Sequence, residues 1–119
     1  MRIMLLVPVI AGALMSTQGE AQSAPPQFAQ CMVCHSAKKG ASPSLGPNLF
    51  GVGGTKAGAM AGYRFSPAMA KSQIVWNRQN IIKFITNPAA TVPGTKMTYM
   101  GQRDPRVAAA IADYLITLK

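Results

Sequence analysis

The chain has 119 residues, of which twelve are Lys or Arg, three are Asp or Glu and one is His, so its net charge is +9. This length fits one domain rather than two, and the charge favours acidic partners such as an acidic protein patch or an anionic membrane surface. The sequence contains no helix-turn-helix, zinc-finger or aromatic-plus-basic pattern, which argues against nucleic-acid binding.

The first 21 residues read as a secretory signal peptide that is cleaved. Arg2 is followed by an apolar run over 3–15, which is too short for a membrane-spanning helix of roughly 20 residues. A polar stretch then ends in the small residue Ala21, as a signal-peptidase site requires. We therefore expect cleavage after Ala21, export, and a single mature domain over 22–119.

The mature chain is predicted to begin with a brief helix and a long loop. Pro25 and Pro26 can open a helix that runs through His35, because proline is tolerated in a first helical turn. The following segment, 36–55, is rich in Gly, Ser, Lys and Pro, a composition that predicts an extended loop.

Three further helices are predicted, each starting at a residue that can cap its first turn. They cover 67–71, 78–86 and 105–119, with caps at Ser66, Asn77 and Asp104. Asn87-Pro88 is expected to end the second of them, and Val107, Ile111 and Leu115 recur at helical spacing in the last. Because no useful run alternates apolar and polar residues, the predicted fold class is all-α.

The sharpest chemical signal is a C-x-x-C-H run. Cys31 and Cys34 are the only cysteines, and His35, the only histidine, follows directly. In such a run the two thiols bond to the vinyl groups of a haem, and the next imidazole lies beneath the iron. A structural disulfide, a thioredoxin-like dithiol and half of a zinc site are the competing interpretations. The zinc site would need ligands that the sequence lacks, and the dithiol would need surrounding strands.

A six-coordinate haem iron needs a second axial ligand, and the thioether of methionine suits a high-potential electron carrier. Outside the leader and the cysteine segment four methionines remain: Met60, Met69, Met97 and Met100. Met97 follows a proline-and-glycine turn, 92–96, which can hold a side chain against a buried face. We therefore choose Met97 as the candidate second axial ligand, although a methionine that only fills the core would explain this position equally well.

Five segments together resemble the class I c-type cytochromes, the small monohaem family that includes mitochondrial cytochrome c. They are CMVCH at 31–35, GPNLFG at 46–51, IVW at 74–76, NPAATVPGTKM at 87–97 and IADYL at 111–115. The resemblance implies a cytochrome c fold, in which short helices and long loops wrap around one covalently attached haem c. It also implies that the first and last helices cross, with Phe28 in contact with Tyr114 or Leu115.

The resemblance further implies roles for individual residues. His35 and Met97 would be the axial ligands, and the carbonyl of Pro47 would accept a hydrogen bond from the other ring nitrogen of His35. Trp76 and Thr95 would form hydrogen bonds with the haem propionates.

Three positions depart from the mitochondrial pattern. Thr55 replaces an arginine and Phe65 a tyrosine, both of which contact a propionate in that pattern, and Phe84 replaces a tyrosine that bonds to the methionine sulfur. We expect the propionate charge to be less compensated and the methionine sulfur to lack a hydroxyl partner, so the midpoint potential is not transferable from the relatives.

The expected function is that of a soluble periplasmic carrier that shuttles single electrons between respiratory or photosynthetic partners. The family places cations around an exposed haem edge, and the candidates, with Lys96 favoured, are Lys38, Lys39, Lys56, Lys71, Lys83 and Lys96. These charges would steer a monomer to acidic patches on an oxidase, reductase complex, reaction centre or dehydrogenase, in transient contacts with membrane complexes.

An enzyme is not expected. Asp104 and Asp113 are the only carboxylic side chains outside the leader, so groups for acid and base catalysis are scarce. The alternative function is a haem protein whose methionine ligand is displaceable and which binds gas or reduces peroxide.

Overall fold

The computed structural model describes residues 8, 12, 13 and 22–119. Apart from those three residues, the predicted signal peptide over 1–21 lies outside the described part of the chain. The helices are an N-terminal 3-10 helix, Pro26–Val33, followed by α1 (Pro67–Lys71), α2 (Arg78–Thr86), α3 (Pro88–Thr91) and α4 (Pro105–Thr117). Between 22 and 119 the only β pairing is an isolated bridge of Lys56 with Val75, so the all-α prediction is confirmed.

Side-chain caps explain where the predicted helices begin. Oxygen atoms of Ser66, Asn77 and Asp104 accept hydrogen bonds of 3.0, 2.8 and 2.9 Å from backbone N–H groups two or three residues later. Each bond satisfies a donor that a first helical turn leaves unpaired. None of the helices among the described residues is both long enough and apolar enough to cross a membrane.

The structure corrects three details of the predicted helices, one of which is that α4 ends at Thr117 rather than at residue 119. The first helix is a tighter 3-10 helix and ends at Val33, two residues before the predicted end. Asn87-Pro88 does end α2, but it also starts α3, which the sequence reasoning missed. The side chain of Asn87 accepts from the N–H of Ala90 at 3.2 Å, and Pro88 has no N–H that needs a partner in a first turn.

The core lies where α4 packs against α2 and the N-terminal helix. The buried ring of Phe28 meets Tyr114 edge to face, with 4.9 Å between ring centroids, as the resemblance implied. Ala108 and Ala112 of α4 have no exposed surface, and their small side chains let the neighbouring elements approach closely. Because Cys31 is only three residues beyond Phe28, this packing also sets the position of the cysteine segment.

An ion pair adds a second connection between α2 and α4. Arg78 Nε lies 2.6 Å from Asp113 Oδ1, with about half of each side chain exposed. The hydrogen bond from Arg78 holds the pKa of Asp113 below its usual range. At this exposure the pair contributes little to stability.

The segment after Met100 passes close to the C-terminal end of α2. The backbone N–H of Gln102 donates to the carbonyl of Ile85 at 2.8 Å. Gly101 has a φ of +108°, and a Cβ added there would overlap the carbonyl oxygen of Thr86. A glycine is therefore required at 101 both by its backbone conformation and by the lack of space.

We expect Gly101→Ala to lower the free energy of unfolding by about 3 kcal/mol, because a strained φ and a steric overlap act together. Gly40→Ala is the matched control, since Gly40 has a φ of +75° but an added Cβ would meet no atom within 4 Å. Its expected loss is about 1 kcal/mol. Denaturant unfolding of the haem-loaded variants measures both values, and equal losses would contradict the role given to Thr86.

Candidate functional site

The three residues of the C-x-x-C-H run lie at the end of the N-terminal helix. The backbone N–H groups of Cys34 and His35 both donate to the carbonyl of Cys31, at 3.2 and 3.0 Å. Both cysteines are partly buried, and no disulfide joins them. Burial raises the pKa of Cys31, so its thiol is protonated near neutral pH.

The ring of His35 is held by the loop that follows it. Its Nδ1 lies 2.7 Å from the carbonyl oxygen of Pro47. Because a carbonyl can only accept, the ring proton is on Nδ1 and Nε2 keeps its lone pair. Burial lowers the pKa of His35, and the bond to Pro47 offsets this only in part. The imidazole is therefore neutral at neutral pH, the form that can ligate a metal.

Backbone hydrogen bonds keep this loop beside the cysteine segment. The N–H of Gly46 donates to the carbonyl of Cys34, and the N–H of Leu49 donates to the carbonyl of Ser36, both at 2.7 Å. A Cβ added to Gly46 would lie 2.5 Å from Cε1 of His35, so the glycine backbone packs directly against the imidazole ring. Sequence reasoning missed this contact because His35 and Gly46 are eleven residues apart in the sequence.

Asn48 is a second residue whose role sequence reasoning missed. Its Nδ2 donates to the carbonyls of Lys38 and Ala41 at 2.8 and 3.1 Å, and its Oδ1 accepts from the N–H of Phe50 at 3.0 Å. One side chain thus closes the loop over 38–50. The bond to Phe50 is a local Asx turn that the sequence signals, whereas the other two become visible only in the folded chain.

The segment that contains Met97 is ordered by its neighbours. Met97 is partly buried and packs against the core, and its N–H donates to the hydroxyl of Thr95 at 3.3 Å. Lys96 Nζ donates to the carbonyl of Arg64 at 2.6 Å. Of the other methionines that the sequence left open, Met69 is buried in α1, Met60 is partly exposed and Met100 is largely exposed.

The remaining predicted residues have apolar or backbone partners in the structure. Trp76 is buried and packs against Phe84, with ring centroids 5.2 Å apart. Phe65 meets Tyr63 edge to face at 4.9 Å. The hydroxyl of Thr55 donates to the backbone carbonyl of Val52 at 2.7 Å. Phe65 thus has no hydroxyl that could donate to a haem propionate, and Phe84 has none that could donate to the methionine sulfur. The hydroxyl of Thr55 already donates to the backbone.

A surface cavity of about 350 Å³ lies apart from these residues. It is lined by α1, α2, α3 and their flanking loops, and none of Cys31, Cys34, His35 or Met97 borders it. It therefore has no part in the candidate site.

No family model matches the chain. Individual proteins do match: cytochrome c2 iso-2 of Magnetospirillum fulvum is 41% identical over 95 residues, which cover 80% of this chain and 98% of the relative. Cytochrome c2 of Rhodopila globiformis is 47% identical over 89 residues, covering 75% and 83%. The chain belongs to the cytochrome c family. The cytochrome also has the fold of cytochrome cH from Methylobacterium extorquens, with a TM-score of 0.71, 40% identity and coverage of 76% and 90%.

Membership confirms the predicted resemblance and gives the cysteines their role. Cytochromes c are electron carriers rather than enzymes and hold one covalent haem c, which this cytochrome attaches through Cys31 and Cys34. The residues present fit that group, because two thiols and one neutral imidazole lie together on a single turn. Among the described residues no three His, Cys, Asp or Glu side chains form a group that could hold a metal ion.

We expect Gly46→Ala to loosen the hold of the loop on His35, because the new methyl group must displace the imidazole ring. Overpacking should lower the free energy of unfolding by about 2 kcal/mol. Displacement also exposes the ring to water and so reduces the burial that lowers its pKa, which is the larger of the two effects on this group. Protonation and loss of the imidazole should therefore occur at higher pH than in the wild type.

Acid titration followed in the visible spectrum measures this pH, and Leu45→Ala, at the exposed neighbouring position, is the control that should leave it unchanged. An identical acid transition in Gly46→Ala would contradict the contact with His35.

Proposed function

We propose that the protein is a periplasmic carrier of single electrons in which His35 and Met97 are the axial ligands of the haem iron. The observation that supports this most directly is the 2.7 Å hydrogen bond from His35 Nδ1 to the carbonyl of Pro47, which leaves the lone pair of Nε2 free to bind a metal. The haem, when bound, supplies a one-electron couple. With both axial positions filled by protein side chains, no position is left for a substrate.

The surroundings of Met97 support it as the second ligand. A ligand must be held against the buried face of the haem, and Met97 is partly buried on a segment fixed by Thr95 and Lys96. Met69 is part of the core, and Met100 is largely exposed. Phe84 offers no hydroxyl, so we propose that the Met97 sulfur lacks a hydrogen-bond donor at this position.

Thr95 and Trp76 are the proposed partners of the haem propionates, with Pro47 as the partner of His35. The hydroxyl of Thr95 accepts from the N–H of Met97, which leaves its own hydrogen free to donate. The indole N–H of Trp76 is the polar end of an otherwise apolar, buried ring, and a buried indole N–H usually has an acceptor.

The predicted signal peptide over 1–21 and the positive charge support a periplasmic carrier that meets acidic partners. Outside the leader there are eleven basic and only two acidic side chains, and each acid has an arginine within 3.5 Å. The remaining positive charge favours short-lived complexes with acidic patches on membrane redox proteins, which a monomer would visit in turn.

We expect Met97→Ala to abolish the weak near-infrared charge-transfer band that a methionine-to-ferric-iron bond produces. The oxidised holoprotein is measured beside Met100→Ala, the control at an exposed methionine that should keep the band. The wild type should not bind carbon monoxide when reduced, whereas Met97→Ala should.

A wild-type protein that lacks the band and binds carbon monoxide readily would contradict ligation by Met97. The alternative of a gas-binding or peroxide-reducing haem protein would then replace the carrier.

A further inference from the structure

The surface cavity between α1, α2 and α3 has an apolar wall. Its volume of about 350 Å³ lies within the roughly 300–1,000 Å³ that small-molecule pockets occupy. Four of its lining residues are apolar: Ala68, Ile74, Val92 and Pro93. Val92 is buried in the core and Ile74 packs against that core, so the wall is fixed by the fold. A ligand that fills this cavity therefore needs an apolar part.

A single positive charge borders the same cavity. Among the described residues, Lys83 of α2 is the only charged residue that lines it. The two carboxylates between 22 and 119, Asp104 and Asp113, have arginine partners, so Lys83 has no carboxylate partner in this part of the chain. One unpaired cation beside an apolar wall fits a monoanion better than it fits a polyanion.

Asn80 adds a second hydrogen-bond donor next to Lys83. The two residues are three positions apart on α2 and therefore lie on the same face of the helix. One hydrogen of Asn80 Nδ2 is donated to the carbonyl of Val75 at 2.8 Å. A side-chain amide carries two such hydrogens, so the other remains for a ligand. The ammonium and the amide together match the two oxygens of a carboxylate.

The hydroxyl groups in the cavity add no further donors. The hydroxyl of Ser72 donates to the carbonyl of Met69 at 2.8 Å. The hydroxyl of Thr91 lies 2.9 Å from the carbonyl oxygen of Asn87 and 3.0 Å from that of Lys83. A hydroxyl has one hydrogen, and in both residues the backbone accepts it. Lys83 and Asn80 are therefore the donors that a bound anion meets.

The cavity also borders the turn that leads to Met97. The N–H of Thr95 donates to the carbonyl of Val92 at 3.0 Å, which closes this turn. A Cβ added to Gly94 would lie 3.2 Å from the Cβ of Ala68, so the turn packs directly on α1. Because Val92 and Ala68 both line the cavity, a bound molecule would contact the turn and its support at the same time.

We propose that this cavity binds a small monocarboxylate with an apolar body, such as an aromatic acid, and that the bound acid holds the turn before Met97 in place. Its carboxylate lies between Lys83 and Asn80, and its apolar body packs on Ile74 and Val92. The site itself is independent of the proposed electron transfer, whereas its effect on Met97 rests on the ligation proposed above.

The first test measures binding of benzoate to the reduced, isotope-labelled holoprotein by amide NMR at low ionic strength. The largest shifts should be at Lys83, Thr91 and Val92, with a Kd of about 1 mM for so small a ligand. Benzamide lacks the charge and acetate lacks the apolar body. Each should bind at least about tenfold more weakly than benzoate, because each retains only one of the two interactions.

Two lysine variants locate the charge. Lys83→Gln should weaken benzoate binding about tenfold, because a charge-assisted hydrogen bond is lost. Lys71→Gln is the matched control, since Lys71 is an exposed cation at the end of α1 that does not line the cavity. Its Kd for benzoate should remain within about twofold of the wild-type value.

The second test measures how fast added imidazole replaces Met97 in the oxidised holoprotein, followed as loss of the near-infrared band. Imidazole can bind the iron only after Met97 has left it. Benzoate at ten times its Kd should slow the replacement about tenfold if it binds only while the turn is in place. Acetate at the same concentration and ionic strength should have little effect, and Lys83→Gln should lose most of the slowing by benzoate.

The outcomes separate the site from its effect. If benzoate does not bind, or if benzamide or Lys83→Gln binds as tightly as the benzoate–wild-type pair, the carboxylate site is refuted while the carrier function stands. If benzoate binds in the cavity but does not slow imidazole, the effect on the turn is refuted. A wild-type protein without the near-infrared band would overturn that effect together with ligation by Met97.

Discussion

The hydrogen bond between His35 Nδ1 and the carbonyl of Pro47 is the constraint around which the site is built. An imidazole can present Nε2 in a defined direction only if its other nitrogen is held, and here the holder is a loop rather than a helix or strand. A loop can serve in this way only when it is itself fixed. Backbone bonds from Gly46 and Leu49 and the three bonds of Asn48 provide that fixation. Much of the non-helical backbone between 34 and 50 therefore serves to hold the imidazole of His35 in place.

The small helical core positions the cysteine segment against which this loop is held. The 3-10 helix Pro26–Val33 has two tasks, because Phe28 packs on Tyr114 of α4 while Cys31 lies three residues further along the same helix. Packing in the core thereby determines where the attachment point lies. Met97, the proposed second ligand, lies on a segment that the hydrogen bond from Lys96 to the carbonyl of Arg64 connects to the rest of the chain, and within that segment its own N–H donates to Thr95.

Local signals in the sequence predicted the helix starts and the attachment residues. Ser66, Asn77 and Asp104 cap helices as expected, since a cap involves only neighbours along the chain. The C-x-x-C-H run is equally local. The helix α3 was missed because Asn87-Pro88 can end one helix and start another. The packing of Gly46 against His35 was missed because it joins residues that meet only after the loop has folded, and no local spacing encodes such a contact.

The pairing of both described carboxylates with arginines has a consequence for how the molecule responds to acidity. Asp104 and Asp113 both have lowered pKa values, and His35 is kept neutral by burial. A carboxyl group whose pKa is lowered in the folded state stays ionised to a lower pH than a free one. Asp104 and Asp113 therefore keep both their negative charge and their arginine partners on mild acidification. In mildly acidic surroundings α4 would thus present a partner with the same pairs of charges as at neutral pH.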